Sequence, residues 1–355
     1  MHGVSREGLY MRTFDYRHLP QQLFGGAVGD ANVRLYEDRG KLELLKQLRA
    51  DELAALRSQA HFDNVDASTH IEGLYIESAR ARDLVTGSDP LGETEAQIVG
   101  YSNALKLIED KAGELDLSTS SILTLYETMY AHRSLGKKSR YRKKDYLYVQ
   151  VDGHMQAMPV SPITAFETPL VLGGACDSLA DAFSADACSP LILSAVFTVD
   201  FLCIRPFDEG NGRIARLFAE LLLEKAGFDV FRYVSIDRLI EGVAMDYYDA
   251  LNACVEKWDR GFNDYTPYAV FWLNIVHEAY AKLFATLDLH TAGGGKSERV
   301  RRYVQNAGEP VTKRAICEAF SDISEATIEA TLGKMVKDGS VTKLGAGRAT
   351  SYSWN

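Results

Sequence analysis

The chain has 355 residues, of which 46% are hydrophobic and 25% are charged, and its formal net charge is −10. This length exceeds one ordinary compact core and predicts about two domains, while the composition excludes a largely disordered chain. The negative net charge disfavours nucleic acid or an anionic membrane as a partner of the whole chain. No apolar stretch reaches the roughly 20 residues that span a bilayer, so no membrane segment is predicted.

Cysteine usage indicates a reducing compartment. The cysteines are odd in number and scattered, and they form no Cys-x-x-Cys pair, which disfavours a zinc site or a disulfide framework. Buried thiols in the cytoplasm are the preferred interpretation. Residues 1–16 lack the apolar core of a signal peptide, and we therefore expect a cytoplasmic protein.

Apolar residues recur at helical spacing through most of the first part of the chain, which predicts a mainly α fold. The helical patterns cover 36–67, 93–111, 120–130, 169–183, 191–204, 212–226, 236–257 and 265–286. One segment interrupts them, about 142–162, where Asp152-Gly153 separates two β-prone runs. Such a pair between β-prone runs predicts a β-hairpin.

The last part of the chain has a different pattern. Residues 288–297 contain three consecutive glycines and predict a linker. Beyond it, three helical patterns and two short β-prone runs around a glycine turn follow the order of a winged helix-turn-helix, which predicts a small domain over 298–355. Residues 296–355 contain ten Lys/Arg and seven Asp/Glu, a local charge of +3.

Residues 205–216 read Arg-Pro-Phe-Asp-Glu-Gly-Asn-Gly-Arg-Ile-Ala-Arg and lie between two apolar helical patterns. Pro206 ends the first helix, and Gly210 and Gly212 allow a backbone that turns several N–H groups toward one point. The N-terminus of the following helix adds partial positive charge. The segment therefore predicts a loop that binds a phosphate.

Four side chains of this loop add to the prediction. Arg213 and Arg216 are three residues apart, so both guanidinium groups can reach phosphate oxygens from one helix face. Glu209 offers a hard oxygen ligand suited to a Mg²⁺ ion shared with phosphate. Asn211 can donate to phosphate without adding charge. A glycine cap with two solvated arginines is the alternative, and it does not explain why all these residues coincide.

The same stretch resembles the signature of the Fic (filamentation induced by cAMP) family, His-x-Phe-x-Asp/Glu-Gly-Asn-Gly-Arg-x-x-Arg, at every specified position except the first. Members are helical proteins that generally transfer AMP from Mg-ATP to a hydroxyl side chain of a target protein. The resemblance extends over roughly 31–284. It implies Mg²⁺ on Glu209, the α-phosphate at Gly210, Asn211 and Gly212, the outer phosphates at Arg213 and Arg216, and a core anchor at Phe207.

Two other segments fit the resemblance. Fic proteins carry a β-hairpin flap that clamps the target segment, and the hairpin at about 142–162 follows Tyr141-Arg142, which resembles the family's Tyr-Arg before the flap. Tyr247 and Tyr248 resemble a family aromatic pair that can line the nucleotide base pocket. A merely structural hairpin and an ordinary core pair are the alternatives.

Residues 68–73, Ser-Thr-His-Ile-Glu-Gly, resemble the family's inhibitory motif. Ser68 and Glu72 are four residues apart and share one helix face, and Gly73 ends the helix. The resemblance implies that Glu72 pairs with Arg216 and takes space that the γ-phosphate of ATP needs. A surface pair without function is the alternative.

Arg205 stands where the family has its histidine, the general base. A guanidinium has no lone pair that accepts a proton near neutral pH. A protein without turnover, an enzyme with altered chemistry and an introduced substitution all remain open. The prediction is therefore an autoinhibited protein adenylyltransferase whose activity Arg205 impairs. The alternative is an inactive nucleotide-binding regulator.

The resemblance also divides the chain. We expect an N-terminal helical region at 1–90, a Fic core at 91–287, and a winged helix at 298–355. The tail is predicted to contact DNA or another protein, and its helix from Glu325 begins with acids where base contacts are usually made. Fic proteins often dimerise, so a homodimer is a further expectation, although the sequence identifies no interface.

Overall fold

A computed structural model describes residues 12–132, 141–145, 149–151, 154–156, 163–291, 296–307, 309–320, 323–345 and 350–355. The chain divides into two compact units, Met1–Tyr280 and Ala281–Asn355. Helices dominate the described residues, which confirms the mainly α class predicted from the sequence. They are α1 (Gly26–Leu48), α2 (Ala50–Ile71), α3 (Ser78–Val85), α4 (Glu93–Lys111), α5 (Thr119–Met129), α6 (Thr168–Ser184), α7 (Pro190–Ile204), α8 (Asn211–Lys225), α9 (Ile236–Gly242), α10 (Ala244–Ala253) and α11 (Thr266–Thr291).

Two predicted helices are each divided in the structure. The pattern over 36–67 belongs to α1 and α2, which are separated at Arg49, and the pattern over 236–257 belongs to α9 and α10, which are separated at Val243. Both residues leave the helical region, with φ −137° and −133°. A single-residue break preserves the apolar spacing on either side, so periodicity alone does not reveal it.

Helix α7 forms the centre of the first unit. All of its residues except Pro190 and Leu202 are buried. Its N-terminus begins with Pro190 at a position that needs no backbone N–H donor. Helices α6 and α8 pack on either side of it. The loop after α7 is therefore held between two well-packed helices.

A glycine brings α4 and α5 together. A Cβ added to Gly100 would lie 1.8 Å from the carbonyl oxygen of Met129, so any larger residue would force the two helices apart. This close crossing places the end of α5 beside α4. Both helices then contribute side chains to the same arginine of α8.

Two strands interrupt the helices. Strand β1 (Val149–Val151) pairs antiparallel with β2 (His154–Gln156), with Val151 opposite His154. These strands lie where the sequence predicts a hairpin. The turn residues Asp152 and Gly153 lie outside the described residues.

The N-terminal segment is anchored to α7 through Arg12 and Tyr16. Arg12 Nη2 lies 3.2 Å from Asp200 Oδ1, and the Tyr16 hydroxyl donates to Asp200 Oδ2 at 2.6 Å. Trp258 donates its indole N–H to Asp200 Oδ1 at 2.6 Å. Burial raises the pKa of Asp200, while Arg12 and these donors favour its ionised form. Nothing in the sequence pattern predicted this network.

The second unit contains α12 (Lys296–Asn306), β3 (Val311–Thr312), α13 (Lys313–Ala319), α14 (Glu325–Lys337), β4 (Val341–Leu344) and β5 (Ser351–Trp354). Its sheet has the order β3-β5-β4, with both pairs antiparallel. The sequence did not predict β3. Ser324 caps α14, and its hydroxyl accepts from the Thr327 N–H at 3.3 Å. The winged-helix interpretation stays a prediction.

Helical residues extend into both ends of the segment predicted as a linker, 288–297. Helix α11 continues to Thr291 and α12 begins at Lys296, while residues 292–295 lie outside the described residues. The three glycines are confined to 293–295, so the flanking residues are free to extend the helices.

Two further predictions concern membranes and cysteines. None of the described helices combines the length and the apolar composition needed to cross a bilayer. All five cysteines are free thiols, and only Cys317 is not buried.

Candidate functional site

The segment 205–211 connects α7 to α8 through two left-handed residues. Arg205, which follows the last residue of α7, has φ +46°, and Gly210, which precedes α8, has φ +72°. A Cβ on Gly210 would lie 2.5 Å from the Tyr130 hydroxyl, so the position requires glycine for both its conformation and its close contact. The chain turns sharply, and α8 begins at Asn211 with its N-terminus facing the turn.

Asn211 holds the turn closed from within. Its Nδ2 donates to the Phe207 carbonyl oxygen at 2.9 Å, and its Oδ1 accepts from the Phe207 N–H at 3.0 Å. Asn211 is 3% exposed. The amide predicted to donate to phosphate therefore has a bracing role in this structure.

Phe207 is fully buried and packs flat against Tyr126 of α5, with ring centroids 3.9 Å apart and an interplanar angle of 12°. It also contacts Phe201 of α7, with a centroid separation of 6.3 Å. The sequence predicted this residue as a core anchor, and the structure places it in that position.

Arg213 points into the interior beside the turn and is only 3% exposed. Its Nη2 donates to Gln97 Oε1 at 2.7 Å and to the Tyr130 hydroxyl at 3.0 Å. Its Nε and Nη1 are buried and make no hydrogen bond to the described residues. Arg213 also forms no ion pair within the described part of the chain. A buried cation with two unused donors favours an anionic ligand.

Arg216 lies one turn further along α8 and is 2% exposed. Its Nη2 donates to the Ser68 hydroxyl at 2.9 Å, and its Nε lies 3.1 Å from Asp237 Oδ1. Burial alone would lower the pKa of Arg216, but the carboxylates of Asp237 and Glu72 hold it well above its usual value. The guanidinium is thus charged and has carboxylates on two sides.

Glu72 follows the last residue of α2, and its side chain is 26% exposed. Its Oε1 lies 3.5 Å from Arg216 Nη2. The same oxygen lies 2.5 Å from the position that a Cβ on Gly212 would take. A carboxylate oxygen therefore stands against the first turn of α8, where the sequence predicts phosphate.

The structure brings together most of the residues that the sequence singled out. Arg205 and Glu209 are half-buried in the turn, and Gly210, Asn211, Arg213 and Arg216 are buried around the start of α8. Ser68 and Glu72 reach the same place from α2, 144 or more positions away in sequence.

Tyr247 and Tyr248 occupy different environments. Tyr247 is 1% exposed, and burial raises the pKa of its hydroxyl although the Arg216 charge opposes that rise. Its position is that of a core residue behind Arg216. Tyr248 is more accessible and donates its hydroxyl hydrogen to the Ile71 carbonyl at 3.2 Å. A role in lining a base pocket stays a prediction.

The residues present fit a Mg²⁺ ion shared with phosphate. The turn carries two acidic side chains, Asp208, which is exposed, and Glu209, which is half-buried. No cluster of three His, Cys, Asp or Glu residues that could hold a metal occurs among the described residues. One carboxylate, with phosphate oxygens as the remaining ligands, is a common mode for Mg²⁺.

Sequence reasoning missed three side chains that contact the two arginines. Gln97 and Tyr130 bind Arg213, and Asp237 binds Arg216. Gln97 gives the one local signal for such a contact, because it is a buried polar residue on a helix face that is otherwise apolar. Asp237 directly follows a helix start and gives no such signal.

Comparison with known proteins shows what this part of the chain is similar to. The family model for the Fic/DOC family matches residues 116–223, which include all of α5, α6 and α7 and most of α8. A Fido domain-containing protein of Dictyostelium discoideum is 30% identical over 101 residues. That alignment covers 28% of this chain, and the chain spans 66% of the length of that relative.

Solved structures share the fold. A Fic family protein from Desulfovibrio desulfuricans superposes with a TM-score of 0.57 at 19% identity, covering 92% of this chain and 96% of that one. A Fic domain containing signaling protein from Bacteroides thetaiotaomicron gives a TM-score of 0.53 at 19% identity, with 71% and 94% covered. At this identity the likeness establishes the fold and carries no statement about substrates.

Proposed function

We propose that this chain, whose residues 116–223 match the model of the Fic/DOC family, is a nucleotidyltransferase that moves AMP from Mg-ATP to a Ser, Thr or Tyr hydroxyl of a target protein. Fic domain proteins are generally transferases. ATP as the donor of the transferred group and a protein hydroxyl as its acceptor are both part of the proposal. The proposal also includes an inhibited resting state, in which Glu72 holds the site closed.

The observation that carries the proposal is the environment of Arg213. This guanidinium is buried beside a helix N-terminus, and two of its nitrogens make no hydrogen bond to the described residues. Leaving a charged donor in this state is costly unless a ligand satisfies it. The first N–H groups of α8 also have no partner within the helix. A polyphosphate satisfies both sets of donors at once.

The contact between Glu72 and Arg216 supports the inhibited state. The Glu72 carboxylate neutralises Arg216 and lies over the first turn of α8. A phosphate in that space would meet both a like charge and a steric conflict. Nucleotide binding in the productive position would therefore require Glu72 to move aside.

The proposed reaction assigns a task to each side chain of the site. Glu209 would hold a Mg²⁺ ion, which would supply neutralisation of phosphate charge when bound. Asn211 fixes the turn so that the N–H groups of α8 stay aligned. Arg213 and Arg216 hold the outer phosphates and stabilise charge on the leaving pyrophosphate.

Arg205 should slow the proposed transfer of AMP. It occupies the position of the family's base and cannot accept the proton of the target hydroxyl. A base with a suitable pKa typically contributes about 10²- to 10⁴-fold, whereas positioning and charge stabilisation carry the rest of such a transfer. The second candidate function follows from the same residue: a regulator that binds nucleotide without turnover.

The winged-helix interpretation of the second unit leads to a proposed partner, either DNA or another protein. Lys313 contacts Glu325 Oε1 at 2.7 Å and Glu329 Oε1 at 2.6 Å, which partly neutralises the acids at the start of α14. Lys334, Lys337, Lys343 and Arg348 are the candidate phosphate contacts, although Arg348 lies outside the described residues. Retardation of a duplex that weakens steeply with salt would support DNA binding.

Transfer of label from ATP labelled at the α-phosphate tests the proposed function. The Glu72→Gly protein and the Glu72→Gly, Arg205→His protein are compared, each incubated alone and with lysate protein. Labelling by the second that exceeds the first supports the transferase. Saturable binding of ATP without labelling by either protein favours the regulator. Absence of both binding and labelling rejects the two functions together.

A further inference from the structure

Asp237 contacts Arg216 at a different nitrogen from the one that Glu72 contacts. Its Oδ1 is 3.1 Å from Arg216 Nε, and its side chain is fully buried. Asp237 belongs to α9, which carries none of the residues matched to the family signature. The guanidinium of Arg216 is therefore shared, with its Nε beside Asp237 and its Nη2 beside Ser68 and Glu72.

Asp237 is itself held by neighbouring groups. The Tyr101 hydroxyl of α4 donates to Asp237 Oδ2 at 2.7 Å. The Asp237 N–H donates to Asn64 Oδ1 at 3.3 Å, and the same oxygen accepts from the Ser235 hydroxyl at 2.6 Å. The carboxylate of Asp237 is thus held by Tyr101 of α4, and its backbone is held by Asn64 of α2.

The net charge around Arg213 and Arg216 depends on whether Glu72 is in contact with Arg216. Arg213 and Arg216 contribute two positive charges, and Asp237 and Glu72 contribute two negative charges. When Glu72 leaves, one net positive charge remains at the start of α8. Asp237 then remains as the carboxylate beside Arg216. Burial raises the pKa of Glu220, the buried acid of α8, well above its usual value, so Glu220 adds no comparable negative charge.

We propose that Asp237 is the positioning residue of Arg216: it holds the guanidinium by Nε so that the Nη edge faces the anion site whether Glu72 or a polyphosphate occupies it. A free arginine side chain has several rotatable bonds and loses entropy on binding. An arginine already fixed at Nε avoids most of that loss. The inference rests on the proposed function, because it requires the site to bind nucleotide.

The effect of neutralising Asp237 on phosphate affinity distinguishes a positioning role from a purely electrostatic one. Removing a buried negative charge near a phosphate site should by Coulomb's law alone strengthen phosphate binding. If Asp237 positions Arg216, its neutralisation weakens binding instead. The contact between Arg216 Nε and Asp237 Oδ1 is a buried ion pair and not an aligned hydrogen bond. Losing its carboxylate frees the guanidinium, and the expected loss is about 10- to 100-fold in Kd.

The test measures Mg-ATP binding by titration calorimetry in the Glu72→Gly protein, with and without Asp237→Asn. A loss of about 10-fold or more supports the proposal, and equal or tighter binding overturns it. Adding Asp237→Asn to the Glu72→Gly, Arg216→Ala protein should leave the affinity unchanged or raise it, since no arginine is left to position. A further loss in that protein contradicts the proposal.

Tyr101→Phe provides a milder variant in case Asp237→Asn does not fold. It removes the hydroxyl that contacts Asp237 and Ser68 and leaves every charge in place, so a loss of about 2- to 10-fold is expected. Unchanged affinity contradicts the inference. If the Glu72→Gly protein binds no Mg-ATP at all, the proposed function fails and the inference fails with it. Binding that is insensitive to Asp237 and Tyr101 rejects the inference alone.

Discussion

The Oε1 atom of Glu72 lies 3.5 Å from Nη2 of Arg216, although the two residues are 144 positions apart in sequence. The contact joins the end of α2 to the first turns of α8. It also places a carboxylate against a helix N-terminus, where anions are stabilised. The predictions below concern this contact, the turn beneath it and the charges buried behind it.

Gly212 and Glu72 should be energetically coupled. A Cβ on Gly212 would lie 2.5 Å from Glu72 Oε1, so Gly212→Ala forces the carboxylate away. In the Glu72→Gly protein the same substitution meets no such obstacle and should gain the helix propensity of alanine. We expect a coupling of about 0.5–3 kcal/mol in the free energy of unfolding, measured by a double-mutant cycle in urea. Additive effects would show that the carboxylate does not occupy this position.

Asn211→Ala should destabilise the first unit. It leaves the buried N–H and carbonyl of Phe207 without their hydrogen bonds, at a cost of about 1–3 kcal/mol for each group. The free energy of unfolding, measured in urea, should fall by about 2–6 kcal/mol in total. Asn252→Ala in α10 is a matched control, since Asn252 is exposed and its loss should change stability by less than about 0.5 kcal/mol. Equal effects of the two substitutions would contradict the bracing role.

Arg205→His should be tolerated by the fold and should raise transfer. The residue has φ +46°, a conformation in which histidine is enriched among non-glycine residues, so the melting temperature should change little. In the Glu72→Gly protein the imidazole supplies a base, and the transfer rate should rise by about 10²- to 10⁴-fold. Arg205→Lys keeps the charge but lacks the base, and it should give no rise. A rise with lysine as large as with histidine would rule out proton transfer as the cause.

Glu220 should make stability depend on pH. It is 1% exposed, and neither carboxyl oxygen has a hydrogen-bond partner among the described residues. Burial, with the nearby charge of Asp237, raises its pKa well above the usual value. Above its unfolded pKa the unfolded chain loses this proton while the folded protein keeps it. The free energy of unfolding therefore falls as pH rises, by up to about 1.4 kcal/mol per pH unit, until the folded pKa is reached.

Glu220→Gln removes this dependence. The variant should gain stability relative to the parent protein as pH rises from about 4.5 to 8, and the difference should be smallest at low pH. Denaturant unfolding at several pH values measures the difference. Glu256→Gln, at a side chain that is 80% exposed, should show no comparable trend. A constant difference for Glu220→Gln across the range would mean that this carboxyl ionises normally in the folded protein.

The sequence predicted the mainly α fold and the turn at 205–216 because both depend on local patterns. Helical periodicity reports which residues face the interior, and the glycines at 210 and 212 report a turn that a larger residue cannot make. Glu72 and Arg216 also came together as expected, but that expectation rested on resemblance. Spacing along the chain gives no distance between residues so far apart.

Other features depend on contacts that no local pattern encodes. Gly100 has no unusual φ, and its role becomes visible only because the Met129 carbonyl lies against it. Gln97, Tyr130 and Asp237 reach the arginines from three different elements. The breaks at Arg49 and Val243 leave the apolar spacing intact. Tyr247 lies behind Arg216, a position that tertiary packing determines.

Affinity for Mg-ATP tests the central claim most directly, namely that residues 207–216 form a nucleotide site that Glu72 closes. Titration calorimetry would compare the unmodified protein with Glu72→Gly and with Glu72→Gly, Arg216→Ala, using Glu256→Gly as a control for loss of one acid. We predict at least about 10-fold tighter binding for Glu72→Gly, no gain for the control, and loss of the gain on Arg216→Ala. Equal affinity with and without Glu72, or a gain that survives Arg216→Ala, would contradict the account.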